Sequence, residues 1–73
     1  MQPYTIDVKL VEELQMTEDR EALERLFERA KSAIVNGVSV FLARSGRGGL
    51  QQFDELTTLE DLARYRSGVF KYL

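Results

Sequence analysis

The chain has 73 residues, of which 44% are hydrophobic and 30% are charged, and it contains neither cysteine nor histidine. This composition is typical of one small folded domain over residues 1–73, and it excludes a disulfide framework or a thiolate zinc site. Twelve acidic and ten basic residues give a net charge of −2, which disfavours nucleic-acid binding because that class usually carries a basic excess. Since histidine is the most common general base, its absence disfavours an enzyme, and we expect no catalytic activity, cofactor or metal ion.

The sequence also predicts a location. No apolar run approaches the roughly 20 residues that a membrane-spanning helix requires. The first ten residues, MQPYTIDVKL, lack the basic and apolar regions of a signal peptide. A small domain without disulfides is typical of the reducing cytoplasm. We therefore expect a cytoplasmic protein that does not associate with a membrane.

Alternating hydrophobicity predicts a first β-strand over Tyr4–Leu10. Its apolar residues would share one side of a strand, whereas on a helix they would scatter around the axis. These residues are Tyr4, Ile6, Val8 and Leu10. The alternation breaks at Val11, and we expect Leu14 to belong to a bulge or loop.

A helix is predicted from Thr17 to about Val35. Thr17 is a typical N-cap residue, and Glu18 and Asp19 would lie in the first turn, where the helix dipole favours acidic side chains. Asn36-Gly37 would end the helix, because both residue types tolerate the left-handed backbone of a C-cap. The apolar residues of this segment share one arc of the helix and predict its buried face; they are Leu23, Leu26, Phe27, Ala30 and Ile34.

Two extended segments, Val38–Arg44 and Leu50–Leu56, predict a β-hairpin. The connecting stretch RSGRGG, Arg44–Gly49, supplies glycine for a tight turn. Either Gly46-Arg47 would form the centre of a type II′ turn, or Gly48-Gly49 that of a type I′ turn.

A last helix is predicted after this hairpin. Thr57 and Glu60 fit a capping box at its start. The apolar stripe continues through Ser67-Gly68, so we expect one helix to about Tyr72. The stripe consists of Leu59, Leu62, Ala63, Val69, Phe70 and Leu73.

The order of elements is therefore β-α-β-β-α. This order predicts the α+β class, with a small three-stranded sheet and two helices packed on one of its faces. No internal repeat, linker or low-complexity tract interrupts the chain, which fits a single domain.

Candidate binding residues cluster at the hairpin. Arg44 and Arg47 beside the glycines predict either a plain turn with soluble side chains or a weak anion contact through backbone amides. The stretch does not match a P-loop, because no lysine and Ser/Thr pair ends it and no helix begins there.

The hairpin register decides the place of two aromatic residues. With one pairing parity, Phe41 and Phe53 share the face opposite Val40 and Leu42, and together with the arginines they suit stacking with single-stranded nucleic acid. With the other parity, Phe53 joins Val40 and Leu42 in the core. The second arrangement buries more apolar surface, and we favour it.

Arg66 lies near the middle of the apolar stripe of the last helix. We expect its stem to pack on apolar neighbours while its charged head reaches water. The alternatives are a buried ion pair, with Asp54 or Glu55 as the nearest acids, or contact with a ligand or partner.

These observations predict a small non-enzymatic protein that binds another protein or a second copy of itself, as a binding or regulatory module. Its positive signal is an unpaired strand edge, which can recruit another chain. The alternative is a weak nucleic-acid or anion binder that uses Arg44–Gly49 and the neighbouring aromatics.

Overall fold

The computed structural model describes residues 4–71 and 73. It contains three strands and three helices, and it confirms the α+β class with a three-stranded sheet. The elements in chain order are β1 (Tyr4–Asp7), α1 (Val8–Met16), α2 (Arg20–Val35), β2 (Val40–Gly46), β3 (Gly49–Leu56) and α3 (Leu59–Phe70). The additional helix is α1, and the predicted helix end near Tyr72 lies outside the described residues.

The first predicted strand was too long, because β1 ends at Asp7 and α1 begins at Val8. Asp7 caps the new helix, since its Oδ1 accepts a hydrogen bond of 3.0 Å from the backbone N–H of Lys9. From Val8 onward the apolar residues follow a spacing of three, which suits a helix. Val11 is buried, and Leu14 packs against the core from within α1 rather than from a bulge or loop.

The predicted cap at Thr17 was also wrong, because Thr17 ends α1 instead of starting α2. The backbone N–H and the hydroxyl of Thr17 both donate to the carbonyl oxygen of Glu13, at 3.1 and 3.2 Å. Glu18 turns the chain with a φ of 53°. Asp19 then caps α2, since its Oδ1 accepts a 3.1 Å hydrogen bond from the N–H of Ala22.

The C-terminus of α2 is confirmed at Asn36-Gly37. Gly37 has a φ of 80°, in the left-handed region that glycine adopts without steric cost. Its N–H donates to the carbonyl of Ile34 at 2.9 Å, and the N–H of Val38 donates to that of Ala33 at 2.8 Å. These two bonds form a Schellman motif, which satisfies carbonyls that the helix leaves free.

β2 is the central strand of the sheet. It pairs in parallel with β1 and antiparallel with β3, so β1 and β3 form the two edges. The inward residues of all three strands join side chains of all three helices in one core, which confirms that the helices cover one face of the sheet. The strand members of this core are Ile6, Val40, Leu42 and Leu56.

The hairpin is confirmed, but its turn differs from both predicted types. Gly46 pairs with Gly49, which leaves Arg47 and Gly48 as the loop. Gly48 has a φ of 88°, whereas Arg47 is not among the residues with positive φ. A type I′ turn needs positive φ at both central residues and a type II′ turn needs it at the first. The central pair is therefore Arg47-Gly48, with positive φ at the second position only.

The last helix begins one residue later than predicted. Thr58 is its N-cap, because the Thr58 hydroxyl accepts a 3.0 Å hydrogen bond from the N–H of Asp61. The Asp61 carboxylate in turn accepts from the N–H and hydroxyl of Thr57, both at 3.4 Å. These hydrogen bonds hold the pKa of Asp61 below its ordinary value. The helix continues through Ser67-Gly68, as predicted.

The turn geometry predicts different costs for two exposed glycines. Gly48→Ala should lower the free energy of unfolding by about 1–2 kcal/mol, because an L-residue at positive φ is strained. Gly46→Ala is the matched control, since neither added Cβ meets any atom within 4 Å and Gly46 lacks positive φ. Urea denaturation of both variants measures the difference. Equal losses in the two variants would contradict the assigned turn.

Candidate functional site

β3 is the strand of the sheet with the most exposed residues. Because β3 lies at one end of the strand order, its outer edge pairs with no strand among the described residues. Seven of its eight residues are exposed, and only Leu56 is buried. Leu50 and Phe53 are 53% and 58% exposed, which is high for large apolar side chains. This edge therefore offers unpaired backbone groups together with apolar contacts.

A β-bulge at Phe53 changes the hairpin register. Leu42 pairs with Asp54, but the next residue, Ala43, pairs with Gln52. Phe53 is the extra residue. The residue numbers of paired partners therefore have an even sum from Val40 to Leu42 and an odd sum from Ala43 to the turn. The expectation that Phe53 joins the core was wrong, because the bulge leaves it unpaired and exposed.

The arginines of the hairpin have different surroundings. Arg44 lies on the helix-covered side of the sheet, two residues after the buried Leu42. Its Nη2 is 2.8 Å from Oε1 of Glu12 on α1, and both side chains are about half exposed. Arg47 lies in the loop, exposed, and makes no ion pair with a described residue.

The predicted binding residues do not converge on one surface. Phe41 is half-buried and lies on the sheet face opposite Arg44, because neighbouring strand residues alternate. Glu12 already neutralises the charge of Arg44. Of the predicted hairpin residues, only Arg47 and Phe53 combine exposure with no ion pair or strand partner among the described residues.

Arg66 is exposed on α3, and its guanidinium carbon lies 4.5 Å from the centroid of the Phe70 ring. A second guanidinium, that of Arg20, lies 5.3 Å from the same ring. Arg66 forms no salt bridge with a described residue, so the alternative of a buried pair with Asp54 or Glu55 is wrong. Arg66 contributes a cation–π contact at an exposed position.

Sequence reasoning did not single out Tyr65, which has the least satisfied polar group of the described core. Its hydroxyl is buried without a hydrogen-bond partner, while its ring packs edge-on against Phe27 at 5.7 Å. Burial raises the pKa of Tyr65, the negative charge of Glu12 raises it further, and Arg44 lowers it. Its spacing from Leu62 and Val69, three and four residues, is the signal that would have assigned it to the buried stripe.

Within residues 4–71 and 73, no three or more acidic side chains come together in a group that could hold a metal ion. No helix in the same part of the chain has the length and apolarity that a membrane span requires.

Comparison with protein-family models, with curated protein sequences and with solved structures gives no significant match to this chain.

The buried hydroxyl predicts the effect of Tyr65→Phe. Because an unsatisfied buried polar group is costly, this variant should keep or raise the free energy of unfolding at pH 7, by up to about 1 kcal/mol. Because burial disfavours the ionised form, the pKa of Tyr65 is higher in the folded state than the ordinary value of 10.0. The stability of the fold is therefore unaffected by ionisation of this group below pH 10.0, and it falls as pH rises through the folded-state value. Tyr65→Phe should therefore weaken the alkaline loss of stability. Urea denaturation at pH 7 and across the alkaline range measures both effects.

Tyr4→Phe is the control for this comparison, because burial also raises the pKa of Tyr4 but its hydroxyl is not among the buried unpaired groups. A loss of stability in Tyr65→Phe at pH 7 would show that its hydroxyl has a favourable partner.

Arg66→Leu should change the free energy of unfolding by less than about 1 kcal/mol. The variant loses an exposed cation–π contact worth about 0.5–1 kcal/mol and gains apolar contact along the α3 stripe. A thermal melt measures this, since about 1 kcal/mol corresponds to about 4–8 °C in a domain of this size. A loss near 3–5 kcal/mol, the scale of a broken buried ion pair, would contradict the exposed position.

Proposed function

We propose that this protein is a non-enzymatic module that binds another protein by accepting a strand of that protein along the outer edge of β3. The observation that carries the proposal is the eight-residue edge strand, with seven exposed residues and no pairing partner on its outer side. Strand addition uses such an edge because backbone hydrogen bonds supply affinity and alternate side chains supply specificity.

The composition of β3 supports this role. Proteins usually protect an edge strand with lysine, proline, inward charges or a bulge. β3 reads GLQQFDEL and contains neither lysine nor proline. Its acids, Asp54 and Glu55, and its bulge at Phe53 protect only the half nearest α3. The half over Gly49–Gln52 remains regular and uncharged, and Phe53 next to it is an exposed aromatic anchor.

The charge of β3 favours one kind of partner. The strand carries two acidic residues and no basic residue. Opposite charges across paired strands stabilise them, and like charges destabilise them. A partner strand that pairs along Gly49–Gln52 and carries lysine or arginine near Asp54 and Glu55 therefore fits better than β3 of a second copy. The proposal also assigns the protein to the cytoplasm, because the chain contains no cysteine.

Site-specific photo-crosslinking tests the proposal. A photoreactive residue at Gln51 in β3 should crosslink a defined protein in native cell extract, and the same residue at the exposed Ser32 on α2 should not. Adding Phe53→Lys to the Gln51 probe should abolish capture, because an edge lysine discourages strand pairing. This substitution should cost less than about 0.5 kcal/mol of stability, since Phe53 is exposed.

Ser32→Lys is the matched control, because it adds the same charge on an exposed face away from the sheet. Equal capture by the Phe53→Lys and Ser32→Lys variants would overturn the proposal. A concentration-dependent doubling of the mass in light scattering, removed by Phe53→Lys, would identify a second copy as the partner.

Labelled single-stranded DNA at low salt tests the nucleic-acid alternative in the same variants. Because Arg47 is the one loop arginine and forms no ion pair with a described residue, any binding should show a shallow salt slope of about −0.7 per contact. Chemical-shift changes centred on Arg47 and Phe53 would favour the nucleic-acid function over the protein-binding one.

A further inference from the structure

A second surface lies at the opposite edge of the sheet, where α1 and α2 meet β1. A cavity of about 330 Å³ opens there, which we call the β1-edge hollow. Its apolar lining consists of Leu10 and Leu14 from α1 and Ala22 and Leu26 from α2. Its polar lining consists of Tyr4, Arg25 and Arg29, and none of the described residues that line it is acidic.

The apolar wall is open on one side. Leu10 and Leu14 are four residues apart, as are Ala22 and Leu26, so each pair forms one turn of a helix face. Leu10 is 45% exposed, although its neighbours along the wall are partly buried. α1 and α2 therefore each contribute about one helical turn of apolar surface, which is long enough to contact a short hydrocarbon chain.

The two arginines of the hollow have no acidic partner among the described residues that line it. Arg25 and Arg29 are also four residues apart, and like charges at that spacing repel. Neither forms a salt bridge with a described residue, whereas Arg44 and Arg64 do. Burial raises the pKa of the Tyr4 hydroxyl, and the positive charge of Arg29 opposes this shift in part. Two guanidiniums and a phenol therefore face the same hollow without an anion.

We propose that the β1-edge hollow binds a small amphiphilic carboxylate, with its hydrocarbon chain along Leu10, Leu14 and Leu26 and its carboxylate between Arg25 and Arg29. Guanidinium groups bind carboxylates through paired, charge-assisted hydrogen bonds. The cavity lies at the lower end of the range for small-molecule sites, about 300–1,000 Å³. A neutral apolar ligand would leave both cations unpaired, and a cationic ligand would be repelled.

This inference does not depend on the function proposed for β3. The hollow borders β1, and β3 is the opposite edge of the sheet. A failure of strand addition at β3 would leave the hollow unaffected, and the two experiments change different residues.

Titration of the ¹⁵N-labelled protein with monomeric decanoate tests the proposal. We expect saturable amide shifts centred on residues 22–29 and on Leu10 and Leu14. Decanol has a similar chain without the charge, and acetate has the charge without the chain. Decanol should bind at least about tenfold more weakly because it lacks a charge-assisted hydrogen bond. Acetate should also bind at least about tenfold more weakly because it has no hydrocarbon chain to bury.

Two variants assign the binding to the hollow. The double variant Arg25→Ala/Arg29→Ala should weaken decanoate binding at least about tenfold. The matched control is Arg20→Ala/Arg66→Ala, whose two arginines contact the Phe70 ring instead of the hollow, and it should leave decanoate binding unchanged. Leu10→Glu should also weaken it, because this exposed position would then supply a carboxylate to the arginines. The ¹H–¹⁵N spectrum of each free variant reports whether it is folded.

Any of three results would overturn the proposal. The first is an absence of saturable shifts with decanoate. The second is equal binding of decanol and decanoate, or equal binding by the double variant and the wild-type protein. The third is binding to anionic phospholipid vesicles without binding to monomeric decanoate, which would identify a lipid surface instead.

Discussion

Burial of the inward face of β2 is the interaction on which the rest of the structure depends. Val40 and Leu42 are almost fully buried, at 0% and 4% exposure. They pair with Tyr4 and Ile6 on one side and with Leu56 and Asp54 on the other, in that order. Neither β1 nor β3 pairs with any other strand of the sheet. The helices that pack on Val40 and Leu42 hold β2 in place. Because β2 supplies the backbone partners of β1 and β3, both edge strands depend on that packing.

The size of the chain explains why the sheet stays open elsewhere. A domain of this length buries only about 60% of the surface that its unfolded chain exposes. Three helices cover one face of the sheet, and within the described residues neither edge has a strand on its outer side. The two edges differ in charge, because Asp54 and Glu55 lie in β3 while Arg25 and Arg29 lie near β1. A net charge of −2 conceals this separation, which is why the two proposed ligands differ in charge.

Long periodic segments were predicted well from the sequence, because their signal extends over several turns. The buried face of α2, the hairpin and the passage of α3 through Gly68 all belong to this group. Residues 4–11 fit two periods at once. Tyr4 and Ile6 alternate as in a strand, while Val8 and Val11 are spaced as in a helix, so Val8 satisfies both patterns. Packing of Val11 into the core decides for the helix, and local sequence does not contain that information.

The bulge at Phe53 could not be predicted for a related reason. One extra residue reverses the parity of all pairs beyond it, and a bulge without glycine has no clear residue signature. The sequence therefore identified Arg44, Arg47, Phe41 and Phe53 by residue type but not their arrangement. The pairing of Arg44 with Glu12 joins residues 32 positions apart and depends on how α1 packs. The burial of the Tyr65 hydroxyl depends on the same packing, so residue type alone does not indicate it.

α1 contacts both the hairpin and the β1-edge hollow, and these contacts indicate how strongly the two proposed surfaces interact. One side of α1 holds Glu12, which pairs with Arg44 of the hairpin, and another side holds Leu10 and Leu14 of the β1-edge hollow. The Glu12–Arg44 pair is about half exposed on both side chains. Exposed pairs of this kind contribute about 0–1 kcal/mol and are screened by salt. A coupling of that size changes an affinity by no more than a few-fold. The other connection between the edges is β2 itself, which pairs with β1 on one side and with β3 on the other. The weak Glu12–Arg44 contact therefore gives no reason to expect that binding at one proposed surface would change binding at the other.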